Sequence, residues 1–130
     1  MKFMTLVKGH ESAGAPPQEL MEAIAKLGGE SAKAGKLLET AGLYPSAMGA
    51  RVRITGGRLT VTDGPFSEAK EVVGGYAIFR YDSKAEAIEA ATKFMELHKK
   101  LWPGWEGETE IRQVFDAPEF APEFAPGGKR

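Results

Sequence analysis

Hydrophobic residues in this chain recur with a period of two over several short stretches and with a helical period over two longer ones. Residues 2–8 place Phe3, Thr5 and Val7 on one side of an extended chain and Met4 and Leu6 on the other. This predicts a first strand covered on both faces. A loop over residues 9–17 follows, rich in Gly, Ala and Pro. Leu20, Ile24, Leu27, Ser31 and Ala34 then recur at helical spacing, so a helix is predicted over residues 17–34 with Gly35 just past its end. Gly28 and Gly29 inside it each cost about 1 kcal/mol relative to Ala, which predicts either close packing or a break there. Residues 36–43 read as a short strand ahead of Tyr44-Pro45-Ser46.

The clearest local signal comes next. Residues 50–55 and 58–62 flank Gly56-Gly57, a pair suited to a primed turn that needs positive φ. Counting outward pairs Ile54 with Leu59 and Val52 with Val61 on one face, and Arg53 with Thr60 and Arg51 with Thr62 on the other. One face is greasy and one is wet, as in an antiparallel sheet packed on one side. Residues 71–81 predict a long strand, with Val72, Tyr76 and Ile78 opposed to Val73, Ala77, Phe79 and Tyr81. Ser83 and Glu86 form a capping box for a second helix, whose stripe runs from Ala87 through Phe94 and His98 to Trp102 and stops at Pro103-Gly104. Residues 108–115 complete the set as a last strand. The order βα(ββ)βαβ predicts an α+β fold with two helices on one face of an antiparallel sheet. Because two strands are apolar on both sides, a homodimer with sheets face to face is expected.

Residues 117–130 fall outside this pattern. Ala-Pro-Glu-Phe occurs twice, at 117–120 and 121–124, before Ala-Pro-Gly-Gly-Lys-Arg. Pro every fourth residue excludes a helix interior and a central strand. Phe120 and Phe124 are left either to dock on the body or a partner, or to sit in an irregular end. The expected division is a domain over 1–116 and a Pro-rich tail over 117–130.

Composition narrows the chemistry. At 130 residues and 42% hydrophobic content, one ordinary domain is expected. The absence of Cys excludes thiol catalysis, disulfides and thiolate metal sites. A net charge of −1 gives no overall field to attract nucleic acid or an anionic membrane. No apolar run approaches the ~20 residues of a membrane span, and the first residues read as a strand, too short for a signal-peptide core. Cytoplasmic location is the expectation. No His/Asp/Glu cluster has metal-ligand spacing, and no nucleotide-binding glycine pattern or nucleophile elbow is present, so no cofactor is expected.

The candidate chemistry centres on Asp63, where a strand breaks into a Gly-Pro turn. Two readings stand open. Burial near Phe66 and Tyr76 would raise its pKa and make it a general base; backbone N–H bonds within the turn would make it a structural acceptor. His98, in the apolar stripe of the second helix, is either a core residue or the partner of Asp63, with His10 in reserve. Arg51, Arg53 and Arg112 could rim a site for a carboxylate or lie on a solvated face. Tyr76, Trp102 and Trp105 could line a pocket or fill a core.

Thr62-Asp63-Gly64-Pro65-Phe66 with Glu68-Ala69-Lys70-Glu71 resembles the DGPF domain of the YCII-related proteins. The opening Met1-Lys2-Phe3-Met4, the Gly49-Ala50-Arg51-Val52-Arg53 run and the closing Glu110-Ile111-Arg112 extend the similarity over residues 1–116. The resemblance implies a ferredoxin-like βαββαβ fold with an added hairpin, in the dimeric α/β-barrel superfamily. The wider group includes a dehalogenating muconolactone-type enzyme for which a His–Asp pair has been suggested as active site. Some DGPF proteins are encoded beside extracytoplasmic-function sigma factors, which implies a regulatory association. This chain departs from the enzyme-like pattern: no His lies between residues 17 and 35, the helix where those relatives place one. The first expectation is therefore a dimeric module that binds a small ligand or a regulatory protein. The alternative is a cofactor-independent lyase-, isomerase- or dehalogenase-like enzyme acting on a lactone or enolisable organic acid. In it Asp63 moves a proton with His98, and Pro65, Phe66, Tyr76, Arg51 and Arg112 surround the substrate.

Overall fold

The computed structural model describes residues 1–115. Six strands and two helices follow in the order β1 (Lys2–Gly9), α1 (Gln18–Lys33), β2 (Leu37–Gly42), β3 (Ala50–Thr55), β4 (Arg58–Asp63), β5 (Val72–Arg80), α2 (Lys84–Leu101) and β6 (Gly107–Val114). Two short 3₁₀ turns, Glu11–Ala13 and Ser46–Met48, punctuate the loops after β1 and β2. The four-stranded antiparallel sheet has the order β2-β5-β1-β6, the ferredoxin-like arrangement, and β3-β4 is inserted between its second and third strands as a separate hairpin. The predicted 117–130 tail lies outside the described residues.

Local rules account for most element ends. Gly35, at φ +75°, closes α1. Its N–H donates to the Ala32 carbonyl at 3.0 Å and the Lys36 N–H donates to Ser31 at 2.9 Å, a Schellman arrangement. Of the two expectations for the internal glycines, the break does not occur. α1 is continuous, and the close packing is not found either: a Cβ at Gly28 would meet Leu37 at an ordinary 3.8 Å and one at Gly29 would meet nothing within 4 Å. Ser83 caps α2 by accepting the Glu86 N–H at 3.1 Å. The capping box is only half made, because the Glu86 carboxylate accepts from Lys36 Nζ at 2.7 Å instead. A tertiary cation has displaced the local partner.

The sheet's two faces follow the sequence alternation. Phe3, Thr5, Ala77, Phe79 and Ile111 share one face by register, and Met4, Leu6, Tyr76, Ile78, Glu110 and Arg112 share the other. The core sits at the end where β1 begins: Phe3, Tyr81 and Ala87 are buried together, with Phe79, Ala90 and Ile111 against them. The rings of Phe79 and Tyr81 stack at 5.2 Å. Between the sheet and the helices lies a cleft of about 2110 Å³, whose wall runs from Tyr81 and Glu86 at this end to Trp102 and Trp105.

One expectation is overturned. The hairpin forms in the predicted register, Ile54 with Leu59 and Val52 with Val61, through Gly56 and Gly57 at φ +57° and +77°. Its apolar face is not packed, however: Val52, Ile54, Leu59 and Val61 are each 71–72% exposed. Pairing and register are local properties of the two strands, whereas burial needs a second layer that no described element supplies. No helix among the described residues is long and apolar enough to cross a membrane.

Candidate functional site

The signature turn begins where β4 ends. Asp63 is paired with Ala50 across the hairpin and is exposed. Gly64 then donates its N–H to the Gly49 carbonyl at 2.9 Å and continues through a cis peptide into Pro65. A Cβ at Gly64 would lie 1.6 Å from the Ser46 carbonyl oxygen, so only glycine permits this approach. The Phe66 N–H donates to Ser46 Oγ at 3.0 Å. Ser46 in turn donates to Glu11 from its N–H, at 2.8 Å, and from its hydroxyl. These bonds, hydroxyl first, hold the Glu11 carboxyl below the usual carboxylate range. The Arg51 guanidinium lies 3.8 Å from the Phe66 ring centroid and pairs with Glu68. Three loops, far apart in sequence, are thus tied into one clamp at the cleft rim.

The expected residues divide accordingly. Arg51 and Phe66 come together and line the cleft, Tyr76 and His10 also contribute to its wall, and Asp63 and Pro65 form no part of it. Arg112 is on the sheet face opposite Phe3 and Phe79, where it pairs with Glu110 at 3.1 Å; Lys8 approaches the same carboxylate at 2.5 Å. The Tyr76 hydroxyl donates to Glu39, which raises the phenol's pKa. Arg53 and His10 are exposed.

His98 occupies a different place from Asp63, and no hydrogen bond joins them. It lies in the last turns of α2, is only 5% exposed, and lines the cleft. Its Nδ1 is 3.0 Å from the Phe94 carbonyl. A carbonyl only accepts, so Nδ1 carries the hydrogen and, in the neutral ring, Nε2 carries the lone pair. The rings of Phe94 and Trp105 flank the imidazole at 4.6 and 4.8 Å, and Trp102 stacks on Trp105 at 5.5 Å.

Sequence reasoning did not find what seats Trp105. Gly9 and Gly107 are partners across β1 and β6. A Cβ at Gly107 would meet the Trp105 ring at 2.2 Å, and one at Gly9 would meet it at 3.1 Å. The two glycines make a flat bed for the indole. The signal was present as two glycines at strand ends, but only the register makes them neighbours.

At the core end of the cleft the Lys36 ammonium, paired with Glu86, sits 5.6 Å from the Tyr81 ring centroid. Burial pushes the Tyr81 phenol up, and the Glu86 hydrogen bond raises Lys36. Among the described residues no group of three or more His, Asp or Glu side chains is placed to hold a metal ion. The site is therefore a mainly apolar cleft with an aromatic-flanked imidazole near one end, an ion pair at the other, and the signature clamp at its rim. A family model for the YCII-related domain matches residues 1–102. No curated protein matches the chain.

Proposed function

This chain belongs to the YCII-related domain family, and we propose that it is a small-ligand-binding module that works as a homodimer without a cofactor. The cleft between sheet and helices carries this reading. Sites for small molecules are concave and mainly apolar, with a few polar groups that fix orientation, and typically enclose roughly 300–1,000 Å³. At about 2110 Å³ the cleft has room for such a molecule along part of its length. The Asp63-dependent enzyme is the weaker reading, because that carboxylate is exposed and outside the cleft wall. Dimerisation is supported by the sheet face opposite the helices, which no described element covers. Met4, Leu6 and Ile78 are half-buried there, rimmed by the Lys8–Glu110 and Tyr76–Glu39 contacts. A second copy supplies the missing layer.

The two tryptophans of the chain, Trp102 and Trp105, both line the cleft, so intrinsic fluorescence reports its occupancy. Titration with a neutral two-ring aromatic is expected to give a saturable change in wild type. The change should be weakened in Ala91→Trp, which places a bulky ring in the cleft from α2. No saturable change in wild type, or an equal one in the variant, rejects the cleft as the site. Light scattering of the wild type should give twice the chain mass, and Leu6→Glu on the open face should return it to one chain.

A further inference from the structure

We propose that His98 Nε2 is the cleft's hydrogen-bond acceptor for ligand, and that the ligand is a flat, neutral molecule presenting one hydroxyl, of the phenol or enol class. The proposal rests on the ligand-binding reading above and adds the ligand's chemistry to it. Three observations converge on this nitrogen. The residue is 5% exposed, on the wall of the cleft and also of a smaller pocket of about 280 Å³. Its tautomer is fixed, because Nδ1–H is committed to the Phe94 carbonyl at 3.0 Å. Its remaining nitrogen has no partner among the described residues. Yet no sealed-off side-chain nitrogen or oxygen among the described residues lacks a partner, so Nε2 keeps contact with open space, and the spaces that His98 borders are the cleft and the smaller pocket.

The surroundings choose the ligand class. Phe94 and Trp105 flank the imidazole at 4.6 and 4.8 Å and Trp102 extends the aromatic surface, so a flat π-bearing molecule fits against them. A charged donor would lose its hydration in the mainly apolar cleft, and Glu106, the carboxylate that shares the smaller pocket with His98, does not line the cleft. A neutral O–H loses far less and regains a hydrogen bond to Nε2. Nothing in this arrangement uses Asp63 or a helix-one histidine.

The test compares two probes that differ at one group: 2-naphthol, which has the hydroxyl, and 2-methoxynaphthalene, which has none to donate. Calorimetry at neutral pH should show 2-naphthol binding the wild type roughly 3- to 10-fold more tightly, the range of one net hydrogen bond. In His98→Leu the preference should fall to about 1-fold, and in His98→Gln, which keeps an acceptor, part of it should return. Should His98→Leu not fold, the ¹⁵N shift of Nε2 in the wild type decides: 2-naphthol should move it and 2-methoxynaphthalene should not. Equal affinities in wild type, or a preference that survives His98→Leu, overturns the assignment while leaving the cleft as a binding site. Failure of both probes to bind overturns the cleft reading and this assignment with it.

Discussion

The β3–β4 hairpin and the four-stranded sheet are made from the same kind of alternating strand, but only the sheet is covered. In β1 the inward side chains Phe3 and Thr5 are 1% and 8% exposed, beneath α2 and its neighbours. In the hairpin, Val52, Ile54, Leu59 and Val61 point from one face in good register and stay 71–72% exposed. Alternation thus specifies which residues will share a face. Whether that face is buried depends on a second layer, and here two helices serve the sheet and none serves the hairpin. An isolated two-stranded hairpin is marginal in water. This one is held at its base, where Gly64 bonds to Gly49 and the Glu11–Ser46–Phe66 chain ties the following loop to the body.

The strongest test of that contrast sets one side chain from each region side by side. Phe3→Ala removes a fully buried ring and should cost about 3–5 kcal/mol in urea unfolding. Ile54→Ala, at 72% exposure, should fall within about 0.5 kcal/mol of wild type. A large cost for Ile54→Ala that grows with protein concentration would mean that the hairpin face is covered in an assembly, and the contrast would then vanish.

A smaller effect is expected at the hairpin base. In Gly64→Ala the new methyl would lie 1.6 Å from the Ser46 carbonyl oxygen, a backbone atom with little room to yield. Overpacking of this kind costs roughly 1–3 kcal/mol. The loop should move away, so the Phe66 amide should lose protection from hydrogen exchange while amides of β1 and β5 keep theirs. Unchanged protection at Phe66 would show that the base is not what holds the hairpin.

How much of this was legible in the sequence follows the reach of each interaction. The Gly56-Gly57 turn, the hairpin register, the Ser83 cap and the Gly35 stop are set within a few residues, and each could be read. So could the four-strand, two-helix order, because the period of each segment is local. The site was harder. Asp63 reads as chemistry because it precedes Gly-Pro, but hydrogen bonding with Ala50's strand draws it into β4 and away from the cleft. His98 reads as a stripe residue, and its tautomer depends on a helix carbonyl that the stripe does not reveal. The Trp105 seat joins positions about a hundred residues apart, Gly9 and Gly107, and the Glu11–Ser46 tie spans 35 residues. Neither has a local signal. Glu86 is the instructive failure: the capping-box pattern was present, and Lys36, 50 residues away, took the carboxylate.

The smallest predicted effect concerns the clamp itself and depends on pH. Glu11 is held below its ordinary value of 4.5 by the Ser46 hydroxyl and N–H. A carboxyl depressed in the folded protein stabilises it above the unfolded value, and that contribution is lost as pH falls through the folded value. The clamp should therefore be intact at neutral pH and loosen below about 4.5, on the acid side only. Glu68, depressed first by a hydrogen bond from its own backbone N–H and then by Arg51, and Glu86, depressed first by Lys36, should release these partners over the same range. All three carboxyls are solvent-accessible, so the global stability change should be slight and the local one informative. The Ser46 amide proton, which donates directly to Glu11, should shift along a single titration with its midpoint below 4.5. Glu11→Gln removes the titrating group and keeps an acceptor, so the Ser46 shift should become flat between pH 6 and 3 on the order of wild-type neutral values. A Ser46 amide that titrates equally in both proteins would assign the acid response to another carboxyl and leave the signature loop held by Gly64 and Arg51 rather than by Glu11.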